Sequence, residues 1–174
     1  LFRSGHVVNL LDAGANAESK ASYLEQWAIM GTIYARDIRN ITNPRVALLN
    51  NGTEFDKGDP LHKEVYQRLE ANEAINFVGN IEANSLLLDQ ADVIVSDGFT
   101  GNAVLKAIEG MSSLLLKQIK QALLNNGLGV KLGAAMIKPA LGDIKNRFST
   151  SGNGGAVLLG VKAPVIKTHG GSHE

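Results

Sequence analysis

Hydrophobic and polar positions follow two different periods along the chain, and the two periods alternate. Continuous apolar runs, which are typical of buried strands, occur at 7–11, 46–49, 75–78 and 93–95. Apolar residues three or four positions apart, which are typical of amphipathic helices, occur at about 23–42, 60–71 and 103–124, with a shorter helical piece at 85–89. Asp59 and Pro60 mark the start of the second helix as its cap and first residue. These strand–helix units predict an α/β fold with three layers, helix–sheet–helix, around a mostly parallel sheet.

The alternation stops after residue 124. A second helical stripe over 127–148, bent at Pro139, predicts an outlying helical hairpin that spans about 103–148. The glycine-rich segment 149–155 predicts a loop, and 156–161 and 165–167 are expected to form further strands or turns. Residues 1–6 follow neither period and are interpreted as a cut point or cloning remnant, which leaves 7–174 as the folded part.

Composition narrows the class of protein. Among 174 residues, 17 basic side chains balance 17 acidic ones, which argues against a nucleic-acid partner. The absence of cysteine excludes disulfides and a cysteine nucleophile, and favours a reducing, cytoplasmic compartment. No apolar run reaches the roughly 20 residues of a membrane-spanning helix. The four histidines show no metal-ligand spacing, and His6 and His62 are interpreted as surface residues.

The stretch DGFTGN, which begins at Asp97, joins the fourth strand to the long helix and is the strongest candidate for chemistry. Unpaired amides at a helix N-terminus bind phosphate or stabilise an oxyanion, and Gly98 and Gly101 allow a ligand to approach the backbone. The side chains expected to contribute to the same site are those of Thr100, Asn102 and Lys106. The alternative is a capping loop whose polar groups satisfy only the helix end.

Two other polar loops follow strands of the predicted sheet. Asp12, Gly14 and Asn16 come after the first strand, and Asn50 comes after the second. Because the carboxyl ends of parallel strands meet at one edge of a sheet, we expect these residues near the DGFTGN stretch. For the first loop, the alternative is an Asx-type turn in which Asp12 or Asn16 only holds the backbone. Three such loops on one edge favour a binding site.

The end of the chain offers one candidate for proton transfer. His169, beside Lys167 and Thr168, carries an imidazole that titrates near neutrality. The alternative is a frayed terminus without a role. The chain lacks both G-x-G-x-x-G and G-x-x-x-x-G-K-[ST], so no nucleotide-binding motif is present, and it also lacks the G-x-S-x-G elbow of serine hydrolases.

Six motifs in order resemble the C-terminal half of the bacterial phosphate acyltransferase family of phospholipid synthesis, PlsX. They are LDAGAN at 11–16, AIMG at 28–31, NPRV at 43–46, INFVGN at 75–80, SDGFTGN at 96–102 and PVIKTHG at 164–170. The resemblance covers nearly everything from Val8 to Ser172. It implies a fold similar to phosphotransacetylase and isopropylmalate dehydrogenase. It also implies that an N-terminal half, which contributes to the family's active-site cleft, is not in this chain.

The resemblance further implies an activity: transfer of a fatty acyl group from acyl-acyl-carrier-protein to inorganic phosphate, with neither metal nor organic cofactor. The amides of 98–102, with Thr100, Asn102 and Lys106, would hold phosphate or the oxyanion. Asp12 and Asn16 would position the reacting group, and His169 would assist proton transfer. The alternatives are phosphotransacetylase-like acyl transfer with coenzyme A, and a non-catalytic dimerising or membrane-binding fragment.

The apolar stripes of the predicted hairpin are too extensive for one thin layer and predict a homodimer. The alternative or additional use of its tip is contact with anionic lipid, through Leu128, Val130, Leu132, Ala134 and Met136 with Lys131 and Lys138 beside them. The resemblance implies peripheral work at the inner face of the bacterial membrane, next to a downstream glycerol-phosphate acyltransferase.

Overall fold

The computed structural model describes residues 2–3, 7–125 and 156–167, together with positions 127, 133, 137, 139 and 142. Its strands are β1 (Phe2–Arg3), β2 (Val7–Leu11), β3 (Arg45–Leu49), β4 (Asn76–Ile81), β5 (Val93–Val95), β6 (Ala156–Leu158) and β7 (Val165–Lys167). The helices with described bounds are α1 (Ala21–Asp37), α2 (Pro60–Glu70) and α3 (Gly98–Leu124), and a 3-10 turn spans Ala83–Ser85. Within these ranges, no helix is both long enough and apolar enough to cross a membrane.

The main sheet has the strand order β1-β2-β5-β3-β4. The last four strands are parallel to one another, whereas β1 pairs with β2 in the antiparallel direction. Val95 of β5 pairs with Leu11 on one side and with Leu48 on the other, so β5 lies between β2 and β3. β6 and β7 form a separate antiparallel pair. The predicted α/β class with a mostly parallel sheet is confirmed.

Alternate side chains of the sheet point to opposite faces, and each face has its own core. One core cluster joins the sheet to α1 and α2, and its sheet members are Val46, Leu48, Val93 and Val95. The other cluster packs against the first turns of α3, and its sheet members are Val8, Ala47, Leu49, Ile81 and Ile94. Helices therefore cover both faces of the sheet, and the loops at the strand ends form the two open edges.

Several boundaries differ from the sequence-based prediction. β4 extends to Ile81 and contains an extra residue, because its register with β3 shifts between Val46 and Leu48. The helical piece predicted at 85–89 is instead the 3-10 turn at Ala83–Ser85. The sequence predicts nothing before Val7, yet β1 joins the sheet, since a strand of 2 residues shows no period.

The largest difference concerns α3. The prediction placed its first residue at Ala103, but the helix begins at Gly98 and the Asp97 side chain caps it. The DGFTGN stretch is therefore a cap and a first helical turn rather than a loop before the helix. The second helix of the predicted hairpin and the 149–155 loop lie almost entirely outside the described residues.

Candidate functional site

The loops that follow β2, β5 and β3 lie side by side at one edge of the sheet, because these three strands are parallel neighbours. In open parallel sheets this carboxyl edge is the usual place for a ligand. The predicted site residues that precede Lys106 in the chain all belong to these loops or to the first turn of α3. His169 lies outside the described residues.

Asp12 closes the loop after β2 around its own carboxylate. Its Oδ1 accepts hydrogen bonds from the amides of Gly14 and Ala15, both at 2.8 Å. Its Oδ2 accepts from the backbone amide of Asn16 at 2.8 Å and from the Asn16 side-chain amide at 2.9 Å. Because both oxygens are occupied and the residue is buried, Asp12 shapes the loop. This is the Asx-turn arrangement considered for this sequence.

The N-terminus of α3 packs directly against this loop through its two glycines. A Cβ atom on Gly98 would overlap the carbonyl oxygen of Asn16 and come within 2.8 Å of Asp12 Oδ2. A Cβ atom on Gly101 would overlap the carbonyl oxygen of Asp12. Glycine is required at both positions because any side chain would push the two backbones apart. The space beside these glycines is therefore filled by the loop, and the ligand predicted to approach the backbone there would find it occupied.

The first amides of α3 are mostly engaged within the protein. Asp97 Oδ1 accepts a hydrogen bond from Thr100 N at 2.9 Å, and the Asp97 carbonyl accepts one from Gly101 N at 2.9 Å. The Gly98 amide donates to Ser19 Oγ at 3.3 Å. These bonds leave the Phe99 N–H without a hydrogen-bond partner among the described residues.

Two polar side chains follow the Phe99 amide in the first turns of α3, and this stretch is called the open corner of the site. Asn102 is exposed and packs over Gly14, where a Cβ atom would lie 3.0 Å from Asn102 Cγ. Thr100 is half-buried, and the Phe99 side chain is 76 % exposed. A backbone amide, a hydroxyl and a carboxamide thus lie within one helical turn. All three are neutral hydrogen-bond donors, the kind of group that stabilises an anion without competing charge.

Asn50 connects the loop after β3 to the end of β4. Its amide nitrogen donates to the Ile81 carbonyl at 2.9 Å, and its side-chain Nδ2 donates to the carbonyl of Lys57 at 3.2 Å and to Asn80 Oδ1 at 3.1 Å. Asn80 in turn donates to the Glu54 carbonyl at 2.7 Å. Asn50 therefore fixes the backbone of this edge.

Lys106 is not brought to the first turn of α3. Its Nζ lies 2.8 Å from Glu109 Oε2, one turn farther along the helix. Because the helix begins at Gly98, Lys106 lies about 12 Å from the first residue along the axis rather than one turn away. Its positive charge is shared with Glu109 and directed away from the open corner.

His62 was interpreted from the sequence as a surface residue, and this was wrong. Only 13 % of its side chain is exposed, and its ring lies between Asp59 and Asp97. Ser19 was also missed. The sequence signal for His62 was its place in the first turn of a helix that follows a strand of the same sheet. The signal for Ser19 was weaker, since it lies in a segment without periodicity.

Asp59 is held in its charged form by His62. Partial burial alone would raise the pKa of the Asp59 carboxyl, but hydrogen bonds from the backbone and the side chain of His62 outweigh burial and lower it. In the described part of the chain, no three histidine, aspartate or glutamate side chains are grouped as metal ligands.

Comparisons with known proteins identify the family. A family model described as fatty acid synthesis protein matches residues 2–174. The phosphate acyltransferase of Lactobacillus gasseri is 60% identical over 165 residues, which are 95% of this chain and 49% of the relative. That of Lactobacillus johnsonii is 61% identical over 165 residues with the same coverage. That of Pediococcus pentosaceus is 56% identical over 164 residues, 94% of this chain and 47% of the relative.

The chain therefore spans about half the length of the curated relatives that it matches. The resemblance stated from the six motifs is confirmed. The chain belongs to the fatty acid synthesis protein family, in which these curated relatives are phosphate acyltransferases.

Proposed function

We propose that the complete protein transfers a fatty acyl group from acyl-acyl-carrier-protein to inorganic phosphate, which gives acyl phosphate for phospholipid synthesis. The printed name of the relatives supports the reaction class. The observation that carries the proposal is the open corner at the carboxyl edge. There the Phe99 N–H has no partner among the described residues, and Thr100 and the exposed Asn102 follow it in the first turns of α3.

The chemistry requires fixed donors more than a strong base. An oxygen of hydrogen phosphate attacks the thioester carbonyl carbon, and the carbonyl oxygen becomes negatively charged. When this intermediate collapses, the carbon–sulfur bond breaks and the carrier leaves as a thiolate, which takes up the proton of the phosphate. Donors that are in place before the reaction stabilise the developing charge. Phosphate is already largely ionised near neutral pH, so deprotonating it is not the difficult step.

Two carboxylates lie at the N-terminus of α3 and would repel phosphate there if their charges were uncompensated. Asp12 is surrounded by four N–H donors. Asp97 accepts the Thr100 amide and faces the imidazole of His62 at 3.7 Å. Both carboxylates are therefore engaged by the protein scaffold at the N-terminus of α3.

The residues divide into those that contact phosphate and those that build the site. The amide of Phe99, the hydroxyl of Thr100 and the carboxamide of Asn102 bind phosphate or the oxyanion. The scaffold consists of Asp12, Gly14, Asn16, Asn50, Asp97, Gly98 and Gly101. Lys106 contributes at most a distant positive charge, because Glu109 pairs with it at 2.8 Å.

The acyl donor is tested directly with the complete protein. Acyl phosphate formation is measured with long-chain acyl carrier protein and, separately, with acetyl-coenzyme A. The proposal expects product from the carrier-bound donor. Product from acetyl-coenzyme A alone would establish the phosphotransacetylase-like alternative, and no product from either donor would favour the non-catalytic one.

Asn102→Ala tests the open corner in the complete protein. Loss of one pre-positioned donor lowers kcat by about 10²-fold when that donor stabilises an oxyanion. The matched control is Asn43→Ala, an exposed asparagine next to Pro44 at the opposite edge of the sheet, which should leave kcat unchanged. Equal rates in the two variants would remove Asn102 from the mechanism.

The proposed assembly is a homodimer that uses α3. Met111, Leu114 and Leu115 are 65%, 52% and 57% exposed and lie three and four positions apart, so they form one apolar stripe. Light scattering of the complete protein should give the mass of two copies, and Leu115→Asp should shift it to one. A dimer that persists in the variant would place the interface elsewhere.

Two further parts of the proposal concern segments outside the described residues. Peripheral contact of the 128–138 segment with anionic lipid is tested by liposome flotation of Met136→Asp, which should float less than the parent protein. A role of His169 in proton transfer is tested by the pH–rate profile of His169→Asn, which should lose one limb.

A further inference from the structure

Lys20 lies beside the first turn of α3, although the two are far apart in the sequence. The residue before it, Ser19, accepts a hydrogen bond through Oγ from the Gly98 amide at 3.3 Å. Neighbouring Cα atoms are about 3.8 Å apart, so the base of the Lys20 side chain is also near this end of the helix. Asn16 of the same loop packs there too, since a Cβ atom on Gly98 would overlap its carbonyl oxygen. The loop after β2 therefore carries a lysine to the end of α3 at which the open corner begins.

The Lys20 ammonium forms no ion pair with a carboxylate of the described residues. Its Nζ lies 5.8 Å from the centre of the Tyr23 ring, close to the limit of about 6 Å for attraction between a cation and an aromatic face. α1 offers no compensating charge, because its first turn contains no acidic residue. Of the glutamates nearby in the sequence, Glu18 is exposed and Glu25 binds Arg68 at 3.3 Å. Lys20 therefore carries a positive charge that the described part of the chain does not neutralise.

Other lysines at the carboxyl edge are placed differently. Lys106 pairs with Glu109 at 2.8 Å, and Lys57 approaches Glu54 at 4.0 Å in the loop after β3. Lys63 is exposed in the first turn of α2. The lysine whose neighbour in the chain is hydrogen-bonded to α3 is therefore the best placed to reach the open corner.

We propose that the Lys20 ammonium is a ligand of phosphate in the open corner and supplies the positive charge that the sequence assigned to Lys106. This inference rests on the proposed function, because it places phosphate at that corner. Phosphate is an anion, whereas the amide, hydroxyl and carboxamide of the corner are all neutral. An ammonium adds a full positive charge, and hydrogen bonds from charged donors are about twice as strong as those from neutral ones. On binding, Nζ exchanges the Tyr23 ring for a phosphate oxygen.

The experiment measures binding of inorganic phosphate to the complete protein by isothermal titration calorimetry, without an acyl donor. Lys20→Gln removes the charge but keeps a polar side chain. The Kd for phosphate should rise about tenfold or more, as expected when a hydrogen bond from a charged donor is lost. The matched control is Lys63→Gln, which removes the same charge from the same edge of the sheet and should leave the Kd unchanged. Lys20→Arg keeps the charge and the donors, so its Kd should stay close to that of the parent protein.

Two further readouts separate a phosphate ligand from a structural residue. In the acyl transfer assay, Lys20→Gln should raise the KM for phosphate while kcat stays close to the parent value, because the contact exists both before and during the reaction. The difference in Kd between Lys20→Gln and the parent should shrink between about 0.01 M and about 1 M salt, since dissolved ions screen an exposed charge. Circular dichroism identifies any variant that does not fold, and Lys20→Met then replaces Lys20→Gln.

The outcomes distinguish this proposal from the proposed function. An unchanged Kd in Lys20→Gln, an equal rise in Lys63→Gln, or no phosphate binding by the parent protein would overturn the role of Lys20. If Lys20→Gln weakens phosphate binding but the parent forms no acyl phosphate from either donor, the proposed reaction fails and the phosphate ligand stands.

Discussion

The two edges of the parallel sheet differ in how their polar groups are used. At the amino edge, Arg45 pairs with Asp89 at 2.7 Å and with Asp92 at 3.0 Å. Arg39 donates to the carbonyls of Val7 and Asp92 from the same side. Hydrogen bonds to Asp92 and Asp89 raise the pKa of Arg45 still further, so its charge is permanent. This edge is charged but internally paired.

At the carboxyl edge the two carboxylates at the first turn of α3 face inward, whereas the charged side chains of the loop after β3 are exposed. Asp12 binds its own loop, and Asp97 caps α3. The open groups are the Phe99 amide and the side chains of Thr100 and Asn102. The comparison teaches that charge alone does not locate a site in this protein. The candidate site is identified instead by the polar groups that remain available after the hydrogen bonds of the scaffold have been formed.

Among these substitutions, Gly101→Ala should lower the free energy of unfolding most, because it disrupts the carboxyl edge. The new Cβ would overlap the Asp12 carbonyl, and neither backbone can move without opening the loop. We expect a loss of about 3 kcal/mol or more in the free energy of unfolding, measured with urea. Gly110→Ala is the control in the same helix. Apart from the backbone of its own helix, no atom of the described residues lies within 4 Å of the new Cβ, and the substitution should raise stability by up to about 1 kcal/mol. A similar effect of both substitutions would refute the close packing at Gly101.

Arg45→Met should disrupt the amino edge without touching the site. It leaves the Asp92 carboxylate, whose side chain is 6% exposed, without its guanidinium partner. We expect a loss of about 2 kcal/mol in unfolding free energy, with the KM for phosphate of the complete protein unchanged. Arg36→Met is the control, because Arg36 and its partner Asp37 are each 53% exposed and should contribute no measurable stability. A raised KM in Arg45→Met would show that the two edges are coupled.

Asp59→Ala should lower the free energy of unfolding least, because a single helix cap typically contributes about 1 kcal/mol. The pKa of Asp59 is lower in the folded protein than in the unfolded chain. Its contribution is therefore full above the ordinary pKa of an aspartate and is lost as pH falls through the lowered value. Urea unfolding between about pH 6 and about pH 2 should show the difference between the parent and Asp59→Ala shrinking as acid is added. Asp59→Asn is a cap that does not titrate, so its difference in unfolding free energy from Asp59→Ala should stay the same at every pH.

The sequence predicted the fold where periodicity was strong. β2, β3 and β5 are continuous apolar runs, and the cap of α2 followed from Asp59 and Pro60. The start of α3 was misplaced because Gly98 and Gly101 lower helix propensity. Their presence is explained by contact with the loop after β2, which is distant in sequence. Local propensity cannot report such a contact.

The sequence also predicted that the candidate site residues of three loops share one edge, because loops after parallel strands lie at the same edge. It did not predict how those loops share their hydrogen bonds. Asp12, Asn50 and Lys106 all looked available, yet each is engaged in the fold. Asp12 and Lys106 have partners three or four positions away, and Asn50 bonds to Asn80, which is distant in sequence. His62 looked unimportant because Asp97, which it approaches in the fold, lies 35 positions away in the sequence.

The most direct test of the account is a crystal structure of the complete protein grown with saturating phosphate. The account predicts a tetrahedral anion within hydrogen-bonding distance of the Phe99 amide, Thr100 Oγ1 and the Asn102 side chain. In a crystal of Asn102→Ala grown in the same way, this density should be weaker or absent. Phosphate bound only at another place, with this corner occupied by water in the parent protein, would contradict the account.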